Sequence, residues 1–132
     1  NNCVFLPYQD LEVLPWSLTI ADLSIVSLGI TAVGLVAPSK LYGHLAAGTP
    51  LAVISPPNSD LKAFVEQGVG QWFKNGNADG LANWILAMSS KPEVYYEYSI
   101  KCRELAENSY SGQAVTPLYQ SLLFPQALNF AQ

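Results

Sequence analysis

The stretch Gly34-Leu-Val-Ala-Pro-Ser-Lys-Leu-Tyr-Gly-His-Leu-Ala-Ala-Gly-Thr-Pro-Leu-Ala-Val-Ile54 compresses a loop, a helix start, a helix stop and a strand into one short segment. Pro38 fits the first turn of a helix, where a missing N–H costs nothing. Ser39 offers a hydroxyl to the unpaired amides there, and Lys40 adds a positive charge beside them. Together these residues predict an anion site at the helix start. Gly48 supplies the left-handed residue that ends a helix, and Pro50 prevents its continuation. Leu51-Ala-Val-Ile54 follows as an apolar run without polar alternation, the pattern of a strand buried on both faces of a parallel sheet. The fold class that follows is α/β, a doubly wound, Rossmann-like parallel sheet of about four strands with C-terminal helices.

The flanking sequence repeats the alternation of strand and helix. Val4-Phe5-Leu6, closed by Pro7, predicts a first strand, which would hang Tyr8 and Gln9 off its carboxyl end, where open α/β sheets bind ligands. Leu11, Leu14, Leu18 and Ala21 recur at helical spacing, with Pro15 able to start a fresh turn. Leu23 to Leu28 reads as a second strand and Gly29 to Val33 as a loop. Beyond Ile54, Ser55 to Ser59 is a turn, and Asn58 or Ser59 can cap a helix carrying Leu61, Phe64 and Val65. Val69 to Phe73 predicts a fourth, weaker strand and Lys74 to Asn77 a tight turn. The next helix places Leu81, Trp84, Ile85 and Met88 on one stripe, expected to be core. A longer helix opens at Lys91-Pro92-Glu93 and puts Cys102 on its packed face; Ser109 to Gly112 is expected to break it before a further helix over about 114–123. The domain is expected to span residues 1–123, with 124–132 as a tail.

Half of the 132 residues are hydrophobic and 12% are charged, a balance suited to one domain with a substantial core. A net charge of −4 with scattered basic residues argues against a nucleic-acid surface, which needs clustered cations to displace counterions. No apolar run reaches the roughly 20 residues of a bilayer span, because Ser24, Ser27, Gly29, Thr31 and Gly34 interrupt the most apolar stretch. Cys3 and Cys102 have neither a CxxC spacing nor neighbouring ligands, which predicts two reduced, structural thiols, no metal site and a cytoplasmic setting. The first residues enter a predicted strand without a leader, as in a piece of a longer protein.

Several of these motifs also carry a family resemblance covering most of the chain. Pro38-Ser-Lys-Leu-Tyr-Gly-His-Leu-Ala-Ala-Gly-Thr-Pro50 is similar to the PSK…AAGxP motif of bacterial polysaccharide and O-antigen transferases. Phe5-Leu-Pro-Tyr8 and Leu14 to Leu28 resemble other elements of the carboxyl-terminal, nucleotide-sugar-binding half of group 1 (family 4) GT-B glycosyltransferases. The resemblance implies a retaining hexosyltransferase with no permanently bound cofactor, taking its sugar from a UDP- or GDP-sugar at the cytoplasmic side, including the inner face of a membrane. It implies that the acceptor and much of the catalytic machinery belong to an amino-terminal half, without which this piece is inactive. Lys40 and the Ser39 helix start would stabilise charge on the leaving nucleotide, Tyr8 and Gln9 would border the base, and Ser59 would help hold sugar or diphosphate. Many members carry a Glu where this chain has Gly43, and that Glu bonds the donor ribose. The family's first strand and Gly-rich loop are also missing, so the sheet would have to close a gap or borrow an edge, with a homo-oligomer as one solution.

Plainer readings stand beside these. Ser39 and Lys40 can be a helix cap with a solvated lysine, Gly43 can admit a ligand or a neighbouring helix, and Ser59 can be an ordinary cap. Tyr8 can be a packing residue and His44, the single histidine, a surface or supporting group. The competing function is a non-catalytic or degenerate Rossmann-like module serving ligand binding or oligomer contacts.

Overall fold

The computed structural model describes residues 2–125. Helix α1 (Leu14–Thr19) leads into strand β1 (Ser24–Ser27), and a 3-10 turn at Ile30–Ala32 precedes helix α2 (Lys40–Ala47). Strand β2 (Leu51–Ile54), helix α3 (Leu61–Val65) and strand β3 (Gly70–Phe73) follow. The chain then turns helical, through α4 (Ala78–Ser89), α5 (Pro92–Leu105), a π turn at Ala106–Tyr110 and α6 (Gly112–Leu123). The three strands are parallel in the order β1-β2-β3, with Ser24 opposite Leu51 and Leu51 opposite Gly70. An α/β architecture with a parallel sheet is therefore present.

Side chains alternate across a strand, so the register assigns each helix to a face. Ser24, Leu51 and Gly70 share one face, and Ser24 touches His44 of α2 there. Ser27, Ile54 and Phe73 share the other, where the Phe73 ring lies 5.7 Å from that of Trp84 in α4. Helices on both faces explain why Leu51, Ala52 and Val53 are sealed from water without polar alternation. Leu41 and Leu45 of α2 and Cys102 of α5 complete this core. Each fully buried Leu or Val contributes about 1.5–3 kcal/mol relative to an exposed one.

α2 ends as the glycine predicts. Gly48 adopts φ 72°, its N–H donates to the Leu45 carbonyl (3.0 Å) and the Thr49 N–H donates to that of His44 (3.0 Å). This is the paired arrangement that satisfies the last carbonyls of a helix. Arg103 of α5 donates to the next carbonyl, Ala46, and pairs with Glu107 at 2.7 Å. The turn after β3 is fastened to the end of β1 by Asn75, which donates to the Leu28 carbonyl at 3.0 Å.

Three expectations need correction. Val4-Phe5-Leu6 is not a strand: Val4 is 82% and Phe5 95% exposed, and among the described residues the sheet has three strands rather than four. Among the described residues β1 pairs with β2 alone, and the Val4–Leu6 run has no strand to pair with. The α4 stripe is half-buried rather than core: Trp84 meets Phe73, Leu81 and Met88 are only partly covered, and Ile85 is exposed. The break expected within Ser109 to Gly112 is present: the helical path runs on through the π turn to Tyr110, where one residue of slack keeps the backbone wound. Its break comes at Ser111, whose extended ψ of 156° makes it the cap of α6 and whose hydroxyl accepts from the Ala114 N–H at 3.1 Å. Most of the expected tail, residues 126–132, lies outside the described residues.

Two outcomes test this packing. Gly70 has φ 152°, and a Cβ there would lie 1.9 Å from the Leu51 carbonyl oxygen, so Gly70→Ala should cost on the order of 3 kcal/mol or more in chemical denaturation. Cys102 is sealed between the carbonyls of Thr49 and Val69 (both 3.5 Å), and burial pushes its thiol up to about 12. In native buffer a thiol reagent should therefore modify exposed Cys3 and reach Cys102 only after unfolding. A thiol held protonated favours the folded chain below its ordinary value of 9.0 and loses that advantage as pH rises from there through about 12, so stability should fall across that window.

Candidate functional site

Three structural features converge beside α2. The irregular segment ahead of α1 runs past α2, α1 packs along the same helix, and together they border a cavity of about 850 Å³ that is open to solvent. Tyr8 and Gln9 line it from the segment, Ser17 and Leu18 from α1, and Ser39, Lys40, Gly43 and His44 from α2. The α2 residues line one wall because positions i, i+3 and i+4 share a helix face. The hydroxyl of Thr49, just past the end of α2, donates to the Leu18 carbonyl (3.2 Å) and ties the two helices together at the base.

Five of the six residues named from sequence, Tyr8, Gln9, Ser39, Lys40 and Gly43, thus meet in one cavity. Tyr8 is fully exposed, so it is not the packing residue that a tyrosine after a strand would be. The Gln9 amide donates to the Pro7 carbonyl at 2.9 Å, which holds the bend of the segment. Ser59 lies elsewhere. It lines a second cavity, of about 390 Å³, at the carboxyl ends of β1 and β2, together with Leu28, Pro38, Leu41, Tyr42 and Asp60. Its hydroxyl accepts from the Leu61 N–H at 3.2 Å, and the side chain is buried, as an ordinary helix-start residue would be.

The helix start itself differs from expectation. Ser39 is already in the helical region (φ −61°, ψ −26°), and its hydroxyl makes no capping bond. A hydroxyl reaches forward to the second or third amide from an extended backbone, and the helical backbone of Ser39 directs it away. The first turn closes tightly instead, with the Leu41 N–H donating to the Pro38 carbonyl (3.1 Å) and the Tyr42 N–H to the Ser39 carbonyl (3.3 Å). Pro38 therefore precedes the helix rather than opening it. The strand-tip crevice is also not the one that Lys40 lines: Pro38, Leu41 and Tyr42 line that cavity, and Lys40 lines the neighbouring one on the α1 side.

His44 is the residue that sequence reasoning set aside. Its Nδ1 lies 2.7 Å from the Oγ of Ser24, the first residue of β1, which is 5% exposed. Burial, and then the positive charge of Lys40 one turn earlier, hold its pKa below the ordinary 6.5, so the ring is neutral near pH 7. The sequence signal for it was the spacing Lys40-x-x-x-His44 next to Gly43. Its serine partner, twenty residues upstream in another element, left no such signal.

Gly43 answers to packing. A Cβ there would meet Leu18 Cδ1 at 3.2 Å, so the glycine brings α1 close as well as lining the cavity. Among the described residues, no group of His, Cys, Asp and Glu side chains could hold a metal ion, and no helix is long and apolar enough to cross a membrane.

Comparison with known proteins returns no match: no family model, no curated protein and no solved structure is similar to the chain. The geometry around α2 therefore has to carry any functional reading by itself. Because Leu18 Cδ1 is the free end of a flexible side chain, Gly43→Ala should raise thermal stability, by up to about 1 kcal/mol from the better helix propensity of alanine.

Proposed function

We propose that this chain is the donor-binding part of a glycosyltransferase that moves a sugar from a nucleoside diphosphate to an acceptor in polysaccharide or glycolipid synthesis, with the acceptor held by a further domain. One observation carries the reading: Tyr8, Gln9, Ser39, Lys40 and Gly43, far apart in sequence, line a single cavity large enough for a nucleotide. The partial Rossmann-like sheet, with strands that continue into α2 and α3, is a frame compatible with it.

In this proposal the diphosphate rests against Lys40 and the start of α2. Among the described residues neither the Ser39 nor the Lys40 N–H has a backbone partner, as at the open start of a helix. As the glycosidic bond breaks, negative charge builds on the leaving nucleotide, and a lysine with aligned amides stabilises it without a metal ion. The exposed Tyr8 ring offers the base a stacking surface, and Gln9 borders it. Ser59, committed to the start of α3, has no part in holding the donor. The reading puts the site in the cytoplasm, where nucleotide sugars are available.

A second reading, a degenerate module that has lost donor binding, is favoured by Gly43. That residue packs against Leu18 where the family's ribose-binding Glu would stand. Calorimetric titration with UDP- and GDP-sugars separates the two. Binding of one donor, weakened by roughly tenfold or more in Lys40→Ala, is the expected result. An affinity unchanged in the variant would remove Lys40 from the site, and no binding of any donor would favour the degenerate module.

A further inference from the structure

Lys40 and His44 stand one helical turn apart and line the same cavity, but only the histidine is fastened from behind. Ser24 provides the fastening from β1, an element whose position is set independently: the Ser24 N–H donates to the Pro50 carbonyl at 2.9 Å, and the side chain is buried. A serine hydroxyl can donate to an unprotonated imidazole nitrogen or, after rotating, accept from a protonated one. The Ser24–His44 contact therefore survives a change in the charge of the ring, with the ring held in one place.

We propose that His44 is a second, proton-dependent anchor for the donor diphosphate: the imidazole takes a proton from solvent as the anion seats beside Lys40, and Ser24 holds the ring in position for it. The inference rests on the reading of this cavity as a diphosphate site. Its physics is that of three coupled charges. In the empty cavity the Lys40 ammonium opposes a second positive charge on the same wall. A diphosphate between the two groups reverses the sign of the local field and makes the imidazolium the favoured form.

The surroundings leave few competing charges. α1 and β1 contain no ionisable side chain, and Ser24 contributes only its hydroxyl. From the segment before α1, Tyr8 lines the cavity, while Asp10 and Glu12 are exposed. Asp22, just ahead of β1, acts on Tyr95. From α5, Arg103 is occupied by the Ala46 carbonyl and Glu107, and Cys102 is sealed in the core; Tyr110 of the π turn packs on Tyr42 at 5.0 Å. Within α2 itself, Lys40 is the charge that His44 meets.

The chain has one histidine, so its imidazole proton signals in an NMR pH titration need no assignment among several. The titration is run on the whole 132-residue chain, free and saturated with UDP-glucose or GDP-mannose, whose diphosphates have no group titrating near neutrality. The expected result is a histidine pKa raised by roughly one unit or more in the complex, with donor affinity rising about tenfold between pH 8 and pH 5.5. His44→Gln keeps a polar side chain that cannot take the charge. Its donor affinity should stay flat between pH 8 and pH 5.5, where that of the unaltered chain rises. Donor binding that depends on Lys40 but leaves the histidine titration unmoved would overturn this inference and spare the proposed function. No donor binding at any pH would overturn both. Should the His44 variant fold poorly, the titration of the unaltered chain decides the matter alone.

Discussion

The middle strand, Leu51–Ile54, is the constraint on which the structure depends. It has a parallel neighbour on each side and helices over both faces, so its first three residues are removed from water entirely. Such a strand cannot shift its register by one residue without moving Leu51 and Val53 away from α2 and toward α4. The close approach of Gly70 to the Leu51 backbone holds the third strand to the same register. Because α2 leads directly into this strand through Gly48 and Pro50, the register also sets where Lys40, Gly43 and His44 stand. The candidate site is thus positioned by the most deeply buried strand of the sheet.

The two sides of α2 divide the work. Leu41 and Leu45 face the core and anchor the helix, while Lys40, Gly43 and His44 line the cavity on the α1 side. One residue crosses that division: His44 lines the cavity and also touches the sheet through Ser24, so an event in the cavity reaches a buried group in β1 directly. Polar contacts of this kind matter more than their number suggests, because a buried hydroxyl left without its partner costs on the order of 1–3 kcal/mol.

The outer edge of β1 carries the opposite character. Among the described residues it has a strand on one side only, Ile25 is 57% exposed, and the apolar residues Val4, Phe5 and Leu6 are exposed as well. Edges of this kind are where parallel sheets are extended by further strands.

How much of this was legible beforehand varies with the range of the interaction responsible. Local chemistry was readable: Gly48 stops α2, Ser59 serves the start of α3, and the unbroken apolar run at Leu51 announced a strand covered on both faces. Each of these depends on neighbours within a few residues, or on burial that leaves a pattern in the residues themselves. The strand at Val4–Leu6 failed because a strand exists only with a partner, and no local signal reveals a missing one. Ser39 failed as a cap because its backbone angles, set by a tight first turn, aim the hydroxyl elsewhere. The sequence alone thus determined the α/β alternation and the helix that carries Lys40. The tertiary structure decided which cavity that lysine serves, that Gly43 makes room for Leu18, and that His44 is held by Ser24, since all three depend on contacts between elements that share no sequence neighbourhood.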